Sequence, residues 1–247
     1  MPHTFVFVFL LILFLSAAPL LFLGAKTFIS SADFGLLFDP STLKAFAETL
    51  RVTSLAALLG LLLTVPTSWL LVRTNLPGRM LIRKILTYPY FIPPYLFAAA
   101  WVLLAVPQIG LLNRIFGSDF LNIYSALGLV WVLATAYAPI LLTNLTSQLE
   151  SMDPSLEEAA RISGAGPART FFRITLPCLL PSISSATLLF ALSVMAAFGI
   201  PAIVGNPARV YVLTTKIYTQ AKMVGLAGVE EGFIISWWLL VLTGALL

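Results

Sequence analysis

The chain is dominated by apolar runs of about 20 residues separated by short polar stretches. A run of that length as a helix crosses a hydrocarbon core of about 30 Å. Spanning segments must satisfy every backbone polar group internally, which these long runs do as helices, so the chain predicts an all-α membrane bundle. Composition agrees. Of the 247 residues 60% are hydrophobic and 10% charged, against about 25% charged in soluble domains.

Taken in order, the first span is Phe5 to Gly24. The rival reading is a cleaved signal peptide ending near Ser16-Ala17-Ala18. No Lys or Arg precedes the run, which favours a retained helix. A polar connection from Lys26 to Lys44 follows, then a helical stretch from Leu43 to Val72 with Glu48 and Arg51 spaced to pair and Pro66 as a kink. Tyr88 to Val106 is the third span. Its opening, Tyr88-Pro89-Tyr90-Phe91-Ile92-Pro93-Pro94-Tyr95, cannot continue a straight helix. Broken backbone at membrane depth is tolerated where it is buried in protein or lines a cavity. Pro107 to Asn122, with Arg114 and Asp119, reads as an outside loop. Ile123 to Ser147 is the fourth span, with a kink expected at Pro139, and Cys178 to Phe198 the fifth. Gly199 to Gly232 reads as a polar outside stretch. Phe233 to Leu247 rises only about 22 Å as a helix, which reads as a sixth span cut short, in a fragment or one half of a longer polypeptide.

Orientation comes from the loop after Val72. It carries Arg73, Arg79, Arg83 and Lys84 with no acidic residue, which places it in the cytoplasm. Over all loops Lys and Arg divide seven inside and six outside, so the density of that one loop decides. Alternation of spans puts the stretch Glu150 to Pro177 on the same side.

That stretch, ESMDPSLEEAARISGAGPARTFFRITLP, concentrates charge in an otherwise apolar chain. Asp153 is a fitting N-cap with Pro154 at the first helical position. Ser155 with Glu158 is a rival capping box. Gly164 is a helix stop, and Pro167 opens a second short helix. The product is a water-exposed elbow between two spans. The sequence Glu158-Ala159-Ala160, three residues, Gly164, nine residues, Ile174, one residue, Leu176-Pro177 resembles the EAA coupling loop of ABC importer permeases. The bland alternative is an ordinary amphipathic elbow.

The resemblance extends from about Leu43 to the end, dividing the chain into 1–42, a helix and periplasmic loop, and 43–247, the permease domain. It implies the MetI-like fold of about six transmembrane helices with cytoplasmic coupling helices. It also implies a multi-pass protein of the bacterial inner membrane, in which Glu158, Ala159, Ala160, Arg161, Gly164 and Pro177 form the contact with a dimer of ATP-binding subunits. A periplasmic binding protein and a second permease domain, fused or separate, complete the expected assembly. Tyr90-Phe91-Ile92-Pro93-Pro94-Tyr95, Phe198-Gly199-Ile200-Pro201-Ala202 with Gly205, and Leu213-Thr214-Thr215-Lys216-Ile217-Tyr218 resemble the ferric-iron subfamily. Importers of 2-aminoethylphosphonate, polyamines, thiamine and sulfate share much of this pattern.

Other chemistry has little to stand on. G-x-x-x-x-G-K-[ST] does not occur, so ATP hydrolysis is assigned to a separate subunit and the chain is not itself the enzyme. Cys178 is the single cysteine and His3 the single histidine, so no metal site or cofactor is expected. No Lys/Arg block is long enough for nucleic acid; the bilayer is the expected surroundings. An ion-coupled secondary transporter is the alternative of another class, but spans without clear acidic pairs speak against it. A membrane enzyme is disfavoured on the same residues. For the translocation path, Tyr90, Pro93, Pro94, Tyr95 and Ser185 are the candidates. Tyrosines also anchor at membrane interfaces, and the Ser-rich fifth span also suits plain helix packing.

Overall fold

The structure is a computed structural model that describes residues 2–29, 33–117, 121–223 and 225–246. Asp119 and Leu247, to which the sequence assigned an outside loop and the chain's last span, lie outside the described residues. Eleven α-helices occur among the described residues: α1 (Pro2–Ile29), α2 (Pro40–Arg73), α3 (Arg79–Thr87), α4 (Pro94–Ala105), α5 (Leu111–Phe116), α6 (Ala126–Ser151), α7 (Ser155–Ile162), α8 (Pro167–Thr170), α9 (Leu176–Ala196), α10 (Leu213–Met223) and α11 (Gly225–Leu246). Five helical stretches among the described residues are long and apolar enough to cross a membrane, or six if the bent pair Arg79–Phe91 and Pro94–Ala105 counts as one.

Two compact units emerge: Met1–Ala47 with Leu213–Ala245, and a second taking in Glu48–Val212. In the first, α11 carries two tryptophans that find polar partners, as buried indoles generally must. Trp237 Nε1 donates to Thr27 Oγ1 at 3.2 Å, and Trp238 Nε1 donates to the Leu37 carbonyl at 2.9 Å. Phe46 packs on Trp238 with ring centroids 4.5 Å apart. Lys216 of α10 bonds Ser41 and lies 3.9 Å from Asp39.

In the second unit α6 is the central element, buried along most of its length. Small residues of α2 and α9 allow close approach to it, the usual solution where lipid offers no competing solvent. Ala56, Leu129, Val132, Leu133, Leu141, Ala186, Phe190 and Val194 form one core. The segment between α4 and α6 is held by Asn113, itself buried. Its side-chain amide donates to the Val106 and Leu121 carbonyls at 2.9 and 2.7 Å and accepts from the Leu121 N–H at 2.7 Å. What the sequence offered as loop is therefore partly helix, closed by a polar clamp. Immediately after it, Gly128 has no room for a side chain, since a Cβ there falls 2.1 Å from the Ile123 carbonyl oxygen. Gly128→Ala is expected to cost about 1–3 kcal/mol through forced backbone displacement, read as a lower melting temperature of the purified protein in detergent.

The break expected at the opening of the third span is present, and several other expectations shift. The chain runs through amphipathic α3, a 3₁₀ turn at Tyr88–Phe91, and a bend of 111° before α4. Pro89, Pro93 and Pro94 are the cause, because each lacks an N–H and restricts the residue before it. α6 continues to Ser151, which moves Glu150 out of the elbow and onto the helix end. The last helix begins at Gly225 rather than Phe233, and Gly228–Leu246 is long enough to span. Glu230 and Glu231, expected in a loop, lie inside it, and Glu231 accepts a hydrogen bond from Gln220 of α10. Glutamate is a good helix former, so charge was a poor marker of the boundary. The chain stays helical across Pro66 and Pro139, and close by the Thr67 and Thr143 hydroxyls donate to the Leu63 and Pro139 carbonyls.

Candidate functional site

The elbow is built as its residues dictate. Asp153 Oδ1 accepts from the Ser155 N–H at 2.9 Å, and the first helical bonds run from Glu157 and Glu158 N–H to the Pro154 carbonyl at 3.0 and 3.1 Å. The Asp153 side chain therefore caps the turn from just outside, while Pro154, whose carbonyl takes the first helical bonds, stands at the helix boundary one place earlier than expected, and the rival capping box does not form its bonds here. The Ser155 N–H also holds the Asp153 carboxyl below its ordinary value, since it favours the charged form. α7 ends at Gly164, which adopts φ +82. The Ala165 N–H reaches the Ala160 carbonyl and the Gly164 N–H the Arg161 carbonyl, each at 3.0 Å. These are the two bonds of a Schellman stop.

The second arm differs from expectation. α8 does not stand alone: it passes through a π turn at Phe171–Thr175 directly into α9, making Pro167–Ala196 one apolar helical rod of 30 residues. Pro177 explains the turn. It cannot donate to the preceding turn, and the wider i→i+5 loop, closed by Leu176 N–H to the Phe171 carbonyl, absorbs that missing bond.

α7 presents two faces. Leu156, Glu158, Ala159, Arg161 and Ile162 are exposed, Ile162 at 88%, and Ala160 is half-buried. The opposite face carries Glu157, only 3% exposed. Glu157 Oε1 accepts from Thr175 Oγ1 at 2.6 Å. Its Oε2 lies 3.0 Å from Arg73 Nε, off the N–H axis, so that contact is coulombic more than a directed hydrogen bond. Arg73 also donates through a terminal nitrogen to the Met152 carbonyl at 3.2 Å. Nearby, Arg83 of α3 pairs with Glu150 of α6 and bonds Thr146 at 3.3 Å. The basic loop and the elbow thus lie at the same end of this unit, as alternation required. Two of that loop's four cations are neutralised by elbow-side acids.

Residues 58–247 match the family described as the binding-protein-dependent transport system inner membrane component. The chain belongs to that family. The molybdenum transport system permease of Escherichia coli (strain K12) is 32% identical over 196 residues, covering 77% of this chain and 84% of the relative. A molybdate/tungstate transport system permease of Pyrococcus abyssi is 29% identical over 177 residues, 70% of this chain and 65% of its own. The sn-glycerol-3-phosphate transport system permease UgpA of Yersinia enterocolitica is 33% identical over 168 residues, 65% of this chain and 55% of its own. Among solved structures, a bacterial ABC transporter importing the acidic polysaccharide alginate superposes with TM-score 0.78 at 18% identity, covering 99% of this chain and 93% of that one. The methionine transporter MetNI in inward-facing form gives 0.61 at 19%, over 83% and 90%. These likenesses establish the permease fold.

In this permease the sequence-derived residues divide. Glu158, Ala159, Ala160, Arg161 and Gly164 sit together on α7 and its stop, while Pro177 lies exposed at the start of α9. Tyr90, Pro93, Pro94 and Tyr95 are exposed around the break before α4. Tyr95 lies against Gly199, where a Cβ would be 3.3 Å from the Tyr95 Cβ. The broken third span and the Phe198–Gly205 stretch therefore meet, and the latter contains a second π turn at Pro201–Gly205. Ser185 is exposed on α9 and turned to its own helix, bonding the Ser182 carbonyl at 3.2 Å. Among the described residues no hydrogen bond joins it to Tyr90 or Tyr95. Sequence reasoning missed Glu157 and Arg73. The signal was present in two adjacent glutamates on a helix with one buried side, and in an arginine closing a span.

Proposed function

We propose that this chain is the transmembrane permease subunit of an ATP-driven importer of the bacterial inner membrane, with the outward face of α7 docking on a separate ATP-hydrolysing subunit. Residues 43–247 form the permease domain and 1–42 an added helix and loop. A periplasmic binding protein delivers the solute, and a second permease domain completes the pathway. The observation that carries this reading is the elbow's exposed face. Leu156, Ala159 and Ile162 present apolar surface at the elbow that none of the described residues covers, the mark of a contact site. Glu158 and Arg161 beside them supply charges for pairing, and Ala159 and Ala160 permit close approach.

Glu158→Lys is expected to reduce co-purification of the ATP-binding subunit by roughly tenfold or more, through charge reversal at the contact. Membrane insertion should be unchanged. Undiminished co-purification would remove α7 as the docking surface.

For the solute, the relatives matched by sequence support an anion: molybdate, tungstate and glycerol phosphate all carry negative charge. The second reading is ferric iron, favoured by the stretches at 90–95, 198–205 and 213–218. Among the described residues no group of three or more His, Cys, Asp or Glu is placed to hold a metal ion, so an iron path rests on transient contacts with specificity in the binding protein. Competition between molybdate and ferric ion for uptake into vesicles holding the whole assembly separates the two.

A further inference from the structure

The docking face of α7 does not use its most buried charge. Glu157 is turned away from any partner and locked by Thr175 and Arg73. With the Arg73 bond to Met152 included, this node joins four places: the last residue of α2, the residue that caps α6, the first turn of α7, and the turn that feeds α9. Stability alone does not call for ions there, because a well-packed apolar pair commonly serves a buried site as well or better. An ionic and hydrogen-bonded contact adds fixed geometry. The second tie, Arg83 to Glu150, has side chains 38% and 49% exposed and is soft by comparison.

We infer that Arg73 and Glu157 are positioning residues that lock α7 to the inner ends of α2 and α9, so that the elbow moves with these helices as one body. The inference rests on the elbow being where the ATP-binding subunit acts. A displacement imposed on α7 then reaches two spans without being lost in a flexible loop. α9 receives it through a continuous helical rod, and α2 through the node.

The test uses the assembled transporter in lipid nanodiscs, in a Cys178→Ser background, with spin labels introduced by Asn75→Cys and Ser155→Cys. The parent should give one narrow distance that ATP does not change. Glu157→Gln keeps an acceptor for Thr175 and removes the charge. It should broaden the distance while the ATP-binding subunit still co-purifies. Arg73→Glu and Glu157→Arg should each broaden it singly, and the double swap should restore it. Trypsin cleavage at Arg161 in opened vesicles should accelerate on the order of a hundredfold or more in the single reversals and return toward the parent rate in the swap. A Glu157→Gln distance as narrow as the parent's, or a swap no better than its singles, overturns the inference. Failure of the parent to bind any ATP-binding subunit overturns the docking proposal instead, and the distances still judge the strut.

Discussion

Truncation of Glu157 to alanine should lower the free energy that holds α7 closed by about 3–5 kcal/mol, because it takes the carboxylate from the largely covered guanidinium of Arg73. Thr175, wholly buried, loses its acceptor at the same time. The loss is local, since α7 packs mainly on α8 and the Phe171–Thr175 turn. It should therefore appear in hydrogen exchange of the amides of Leu156 to Ile162, with α6 amides little changed. Replacing both partners, Arg73→Met with Glu157→Leu, removes the stranded charge and should return stability to near the parent value or above it. The contrast between single and double variants separates the cost of an unpaired ion from the worth of the pair. Equal destabilisation by both would mean that the ions are not in contact in solution.

This expectation also shows which parts of the molecule a sequence reader can reach. The spans were legible because lipid demands long apolar runs, and the run from Leu55 to Leu71 could hardly be anything else. The elbow was legible because caps act over three or four residues: Asp153, Pro154 and Gly164 each do locally what their chemistry dictates. The break before α4 followed from the three prolines at 89, 93 and 94. Pairing across the fold was not legible. Nothing near Glu157 in sequence distinguishes it from Glu158. Only the packing of α7 on α8 and the Phe171–Thr175 turn decides which of the two turns inward, and Arg73 lies 84 positions away. The end of the chain was misjudged for a related reason. Glu230 and Glu231 were taken as loop because they are charged, yet Gln220 of the neighbouring helix supplies a partner for Glu231. Local rules gave the turns, and contacts between distant segments gave the site its buried half.

Gly164→Val is expected to abolish uptake while leaving insertion in the membrane intact. At φ +82 a residue with a Cβ pays a backbone penalty of about 1–2 kcal/mol, and a β-branched one resists this region further. No atom lies within 4 Å of where that Cβ would sit, so a clash contributes nothing. The strain is relieved by opening the two bonds that stop α7, Ala165 to Ala160 and Gly164 to Arg161. The chain then leaves α7 in another direction and the docking face loses its fixed relation to the α8–α9 rod. Gly164→Asn, which tolerates the left-handed region, should keep most of the activity. Gly78 offers the matching control: it has φ +73 and equally open space, but it precedes α3 rather than ending α7. Gly78→Val carries similar strain and should cost similar stability with a much smaller loss of uptake. If both valines abolish uptake alike, general weakening of the inner loops accounts for the effect, and the direction in which the chain leaves α7 does not matter.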